Sequence, residues 1–255
     1  MENSRTILHE STNQDNCLYQ ASTLQALMLG YFRKVTTVGE FLKHGNSGVG
    51  TFEDLDGEMI VIDGHCYRAA YDGKIYEVDK DTCIPFGNVG YLKGSRSWDW
   101  DEIESFSALS DALNNKIEEH FGLNSMHIVR IDGEFDFVDA RSVPPLRKTQ
   151  HITLEKLVAE KQSCFHFENM KGSLICVYFP NYMDGINLPG WHIHFIDEAR
   201  KVGGHVFGVK IKSCHVRMDK VSRLEIQLPI DPQFDTYDLK EATAEGAKAL
   251  EEGKK

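Results

Sequence analysis

Residues 48–78 read GVGTFEDLDGEMIVIDGHCYRAAYDGKIYEV, and their punctuation decides the fold class. Asp-Gly recurs at Asp56-Gly57, Asp63-Gly64 and Asp72-Gly73, separating short runs of β-prone residues. Asp-Gly readily adopts the positive φ that tight hairpin turns require, so the spacing predicts a meander of antiparallel strands.

Outward from this stretch the period changes. Upstream, QASTLQALMLGYFRK (20–34) places Leu24, Leu27, Met28 and Phe32 at helical spacing, with Ser22 or Thr23 as the cap. TTVGEFLKHG (36–45) predicts a second, short helix. Downstream, SALSDALNNKIEEHFG (107–122) is helical and stops at Gly122, and TLEKLVAEKQ (153–162) is a further helix. Between them MHIVRIDGEFDFVDARSV (126–143) predicts another hairpin, turning at Asp132-Gly133. Four strand-like segments follow: GSLICVYFP (172–180), GWHIHFID (190–197), HVFGVKIKSCHVRMD (205–219) and SRLEIQLP (222–229). The tail, DLKEATAEGAKALEEGKK (238–255), is helical by composition.

Clustered strands with interspersed helices predict an α+β protein with mostly antiparallel or mixed sheets. A division near residue 160 separates a half rich in helices and hairpins (1–160) from a strand-rich half with the helical tail (161–255). No linker composition marks that point, which predicts two tightly joined halves.

Composition bounds the function. The 255-residue chain is 41% hydrophobic and 26% charged, ordinary for a globular protein that buries a core. Its net charge of −11, from 28 Lys and Arg against 39 Asp and Glu, argues against a protein that tracks nucleic-acid phosphates. No apolar run approaches the ~20 residues that span a bilayer. The start, MENSRTILHESTNQDN, has neither the cationic nor the apolar region of a secretory signal. Six scattered cysteines without a CxxC pair read as reduced thiols, and the expected compartment is the cytoplasm.

The segment richest in chemistry is GWHIHFIDEARKVGGHV, residues 190–206. On a strand His192 and His194 share one face, while Trp191, Ile193 and Phe195 suit a buried core on the other. If the chain turns back through Gly203-Gly204, His205 comes opposite them. Three imidazoles with an open fourth position form the arrangement of catalytic zinc, although Mn, Fe, Ni or Cu also suit such ligands. An HxH on a half-exposed strand can instead hold no metal, in which case the histidines are structural parts of a binding module. A cupin-like site using His192, His194 and Glu198 is a further alternative, but its glycine spacing fits poorly and no second cupin motif follows. His65, His127, His151, His166 and His215 are isolated. No nucleophile-elbow, Walker-type or dinucleotide-binding glycine pattern is present.

The histidine segment resembles the metal-binding signature of the α-acetolactate decarboxylases, G-(Y/W)-H-(L/I)-H-F-I-D-E-x-R-x-x-G-G-H-V. GVGTFEDLDGEMIVIDGHCYR, VRIDGEFDFVDARSVP and FENMKGSLICVYFPNYMDGINLPG are similar to further family segments, in the family order, over about residues 18–230. The resemblance implies metal ligands at His192, His194 and His205, with Zn2+ expected and other divalent transition metals possible. It implies catalytic roles for Glu58 and Thr51, a substrate-binding role for Arg141, and a tail glutamate in the site, Glu251 or Glu252. The implied reaction is metal-dependent decarboxylation of (S)-2-acetolactate to (R)-acetoin and CO2, in acetoin and butanediol biosynthesis. The implied assembly is a homodimer whose partner is the small-molecule substrate, with no membrane and no organic cofactor involved.

Overall fold

The computed structural model describes residues 16–146, 152–236 and 238–239. His151, Glu251, Glu252 and nearly all of the helix expected over 238–255 lie outside these residues. The chain begins with β1 (Cys17–Ala21), α1 (Leu24–Met28), β2 (Thr36–Thr37), α2 (Val38–Phe41) and β3 (Ser47–Thr51). Next come β4 (Glu58–Ile62), β5 (His65–Ala69), β6 (Ile75–Glu77), β7 (Cys83–Ile84) and β8 (Phe86–Gly90). Then come β9 (Arg96–Ile103), α3 (Phe106–His120), β10 (Met126–Ser142), α4 (Leu154–Lys161) and β11 (Ser163–Phe179). β12 (Gly190–Asp197), β13 (Gly203–Val221) and β14 (Arg223–Gln227) complete the strands.

The Asp-Gly turns of residues 48–78 join antiparallel neighbours, β3 to β4, β4 to β5 and β5 to β6. Asp63 and Gly64 both have positive φ, 55° and 79°, as a two-residue turn of type I′ requires. These strands belong to a seven-stranded sheet ordered β14-β1-β8-β3-β4-β5-β6, in which β1 and β14 pair in parallel. The second large sheet holds β10, β11, β12, β13 and β9; β10 pairs with both β11 and β13, so four of its strands close on themselves. β2 and β7 form a short ribbon. Each large sheet draws strands from both sides of residue 160.

Two expectations are corrected. The helix predicted over 20–34 is only α1, preceded by a strand and ended by Gly30 at φ 97°. A Cβ at Gly30 would lie 2.7 Å from the Ile152 carbonyl oxygen, so the helix ends where another segment crosses it closely. Thr23 does cap α1, accepting from the Ala26 N–H.

The hairpin predicted at Asp132-Gly133 is instead the middle of one 17-residue strand, β10. Its partners override the turn signal. The Asp132 carboxylate accepts from Arg130 (2.7 Å), Arg217 (2.8 Å) and Ser173 (2.6 Å), the latter two from neighbouring strands. At Gly133 a Cβ would lie 2.4 Å from the Ser213 carbonyl oxygen, so glycine here permits strand approach rather than reversal. β-Bulges after Glu134 and Phe135 bend the strand without breaking it.

The middle of the second sheet, including β12 and the second half of β11, is buried on both faces. Leu174, Cys176, Trp191, Ile193, Phe195 and Val216 pack with Leu109, Leu113 and Ile117 of α3. The intervening residues Ile175, Val177 and Ile196 meet Val49, Ile60 and Ile62 of the first sheet. Ser105, ahead of the predicted segment, caps α3, and Gly122 ends it as the sequence predicts. The alternation along β12 therefore aims Trp191, Ile193 and Phe195 at α3, and His192 and His194 into the gap between the sheets. Among the described residues no helix is long and apolar enough to cross a membrane.

Candidate metal centre

The turn between β12 and β13 is built by Asp197, whose Oδ1 accepts from the Lys201 and Val202 N–H groups at 2.6 and 2.8 Å. Behind it, Gly203 and Gly204 lie too close to neighbouring backbone for side chains: a Cβ would come within 2.3 Å of the Phe195 oxygen and 2.7 Å of the Arg141 oxygen respectively. The turn fixes the register, and His205 lies directly opposite His194. The hairpin expected from sequence is present with its histidines facing each other.

His192 Nε2 lies 3.0 Å from His194 Nε2 and 3.2 Å from His205 Nδ1, and ligand atoms of the three residues all fall within 4.8 Å of one another. His194 is fully buried and His205 nearly so. His194 Nδ1 is 2.8 Å from the Met59 carbonyl oxygen. A carbonyl only accepts, so this nitrogen carries the proton and Nε2 presents its lone pair to the cluster. Such a contact on the far nitrogen is how a ligating imidazole is oriented. Nitrogens bound tetrahedrally at the usual zinc distance of about 2.0–2.1 Å stand roughly 3.3 Å apart, close to the separations here. The donor set fits a divalent metal.

Glu58 begins β4 and projects into the same gap, its Oε2 3.6 Å from His194 Nε2. Thr51 lies opposite it in the β3–β4 ladder, and its hydroxyl donates to the Gly57 carbonyl at 2.8 Å, holding the preceding loop. Arg141 is buried and lies opposite His205, with Nη1 3.5 Å from Gln162 Oε1 at the end of α4. Thr51, Glu58, Arg141, His192 and His205 line one pocket, whose other walls are apolar side chains from α1, α4, Phe86 and Leu188. Three segments distant in sequence, β4, β10 and the β12–β13 hairpin, thus place a carboxylate, a guanidinium and three imidazoles around one small volume. That arrangement can bind an anionic, oxygen-rich small molecule, polarise it and pass it a proton.

Glu198 does not join the cluster: it is exposed beyond the end of β12. Among the described residues His192, His194 and His205 form the group able to hold a metal, which removes the basis of the cupin-like alternative. Of the isolated histidines, His65, His166 and His215 each pair with a carboxylate on a neighbouring strand. Sequence reading missed the Met59 carbonyl and the apolar wall. The wall residues carried a signal, Leu24, Leu27 and Met28 at helical spacing, but that pattern reads as ordinary core.

A family model described as alpha-acetolactate decarboxylase matches residues 18–241. An alpha-acetolactate decarboxylase of Methanosarcina mazei is 35% identical over 94% of this chain and 82% of its own. One from Brevibacillus brevis is 33% identical over the same shares. The crystal structure of alpha-acetolactate decarboxylase from Bacillus subtilis strain 168 superposes with a TM-score of 0.87 at 29% identity, covering 92% of this chain and 99% of that one.

Proposed function

The chain belongs to the alpha-acetolactate decarboxylase family, and from that premise we propose that it converts (S)-2-acetolactate to (R)-acetoin and CO2 in the pocket between its two sheets. The observation that carries this reading is the convergence of His192, His194 and His205 beside Glu58 and Arg141.

The three imidazoles would hold a divalent ion, with zinc favoured by an all-nitrogen set of three and a remaining open position. When bound, such an ion supplies Lewis acidity to the hydroxyl and ketone oxygens of the substrate, drawing electrons from the bond that breaks. Arg141 grips the carboxylate with its planar fork, orienting that bond and offsetting charge until CO2 departs. Leu24, Leu27, Met28 and Leu188 surround the methyl groups and keep water from the electron-rich carbon left behind. Glu58, with 16% of its side chain exposed, returns a proton to that carbon. Thr51 holds the loop that presents Glu58. Glu251 or Glu252 would act on the opposite face and, with Glu58, set the chirality of the product. No organic cofactor is required, because the substrate's own ketone accepts the electrons.

The net charge of −11 disfavours nucleic-acid partners, and six unpaired thiols suit the cytoplasm; a homodimer is the expected assembly. The test is the reaction itself. Purified protein given racemic acetolactate is expected to release acetoin and CO2 in equal amounts and to leave one enantiomer behind. Absence of acetoin would sink the reading.

A further inference from the structure

Within the apolar contact between the sheets lies one group of side chains that the reaction does not use. Gln20 of β1, Asn88 of β8 and Asn187 of the segment before β12 are each 0% exposed. They form a closed triangle. Asn88 and Asn187 donate to Gln20 Oε1 at 2.8 and 2.9 Å, and Asn187 also donates to Asn88 Oδ1 at 3.0 Å. Gln20 Nε2 donates to the Ser22 and Ile186 carbonyls, both at 2.8 Å, while Asn187 Oδ1 accepts from the Leu188 N–H at 2.7 Å. Every amide oxygen and nitrogen of the three is engaged.

Gln20 and Asn88 share a ladder row with Val49 and Ile60; burying three amides there is costly unless all are satisfied, and a fully satisfied network fixes one arrangement of the chain. The segments it fixes are the pocket wall. Ile186 also accepts from the Leu24 N–H at 2.9 Å and Gly185 from the Gln25 N–H at 3.2 Å, so the start of α1 is docked on the segment that the triangle holds. Leu24, Leu27 and Met28 of α1, Phe86 two residues before Asn88, and Leu188 next to Asn187 all line the pocket. None of the three amides does.

We propose that Gln20, Asn88 and Asn187 are positioning residues that set the apolar wall of the substrate pocket, acting chiefly through Leu188. The inference rests on that pocket being the acetolactate site. The metal ligands sit on β12 and β13, and His194 among them is oriented separately, through the Met59 carbonyl. Loss of the triangle should therefore loosen substrate fit while leaving the metal in place.

The decisive experiment measures KM, kcat, bound zinc and Tm for Asn187→Ala, Leu188→Ala and the double variant. Asn187→Ala is expected to raise KM for acetolactate about tenfold, the order a misfit of one methylene produces in an apolar pocket, with kcat and bound zinc within about twofold. If Asn187 acts through Leu188, the double variant should raise KM hardly more than Leu188→Ala alone. Asn187→Ser, which keeps an oxygen for the Leu188 N–H, should restore part of the loss, and it is the variant to read if Asn187→Ala does not fold. An active wild type with KM unmoved in the variants, whatever happens to Tm, overturns the inference alone, as does full additivity in the double variant. A wild type that releases no acetoin overturns the functional reading and this inference with it.

Discussion

His194 Nδ1 lies 2.8 Å from the carbonyl oxygen of Met59, across the gap between the two large sheets. The contact joins a residue of the histidine hairpin to the meander that carries Glu58, and it fixes which nitrogen of His194 faces the cluster. Packing of the two sheets and orientation of the imidazole are thus one arrangement.

His194→Ala removes both the oriented nitrogen and that contact. Bound zinc, measured by elemental analysis, should fall from about one equivalent towards none, and kcat/KM should drop by about 10³ or more, since polarisation by the ion is worth several kcal/mol. Retained zinc with full activity would remove His194 from the ligand set.

Arg141→Lys keeps the charge and loses the fork. The expected result is a rise in KM with zinc content unchanged, and a loss in kcat/KM of about 10–100-fold, as for one charged hydrogen bond of about 1.5–3 kcal/mol. Loss of zinc in this variant would assign Arg141 a structural role instead.

Glu58→Gln should retain zinc and substrate binding but lose kcat by about 10²–10⁴, the usual contribution of a positioned acid or base. The pH dependence of kcat should lose the limb that reports this carboxyl. An unchanged pH profile would place proton delivery elsewhere.

His127 makes a prediction about stability rather than chemistry. It is fully buried against Phe121 and Tyr178, and burial, aided by the nearby Lys220 charge, pushes its pKa down to about 3. The native protein therefore holds this imidazole neutral, while the unfolded chain protonates near pH 6.5. The unfolded state binds more protons below that pH, so this contribution is whole above about pH 6.5 and is lost as pH falls from there towards 3. At pH 5 the loss amounts to about 2 kcal/mol. In urea titrations His127→Phe should lose less stability between pH 7.5 and pH 5 than wild type, by about that amount; identical losses would contradict the burial argument.

The residues legible in the sequence were those whose geometry is local. Asp63-Gly64 is a turn because two consecutive residues adopt positive φ, and His192, Ile193 and His194 alternate because every strand does. Gly203-Gly204 announced the return of His205 because the reversal involves neighbours in the chain. Asp132-Gly133 carries the same turn signal as Asp63-Gly64, but Ser173 and Arg217 hold the aspartate and β13 leaves no room beside the glycine. Partners 41 and 85 residues away decide that case, and a local pattern does not contain them. Glu58 and Arg141 were likewise placed by family resemblance, because their meeting depends on how one sheet lies on the other. The amide triangle was invisible for the same reason: Gln20, Asn88 and Asn187 look like ordinary polar residues until three distant segments are brought together.

The central claim is that a metal held by His192, His194 and His205 is required for decarboxylation. It is tested most directly by removing the metal from purified protein with a chelator, dialysing the chelator away, and measuring acetoin release before and after adding back one equivalent of Zn2+. The account predicts acetoin release near zero in the stripped protein and its return on adding the ion, with the fold intact throughout by circular dichroism. Undiminished acetoin release from folded protein shown to contain no metal would contradict it.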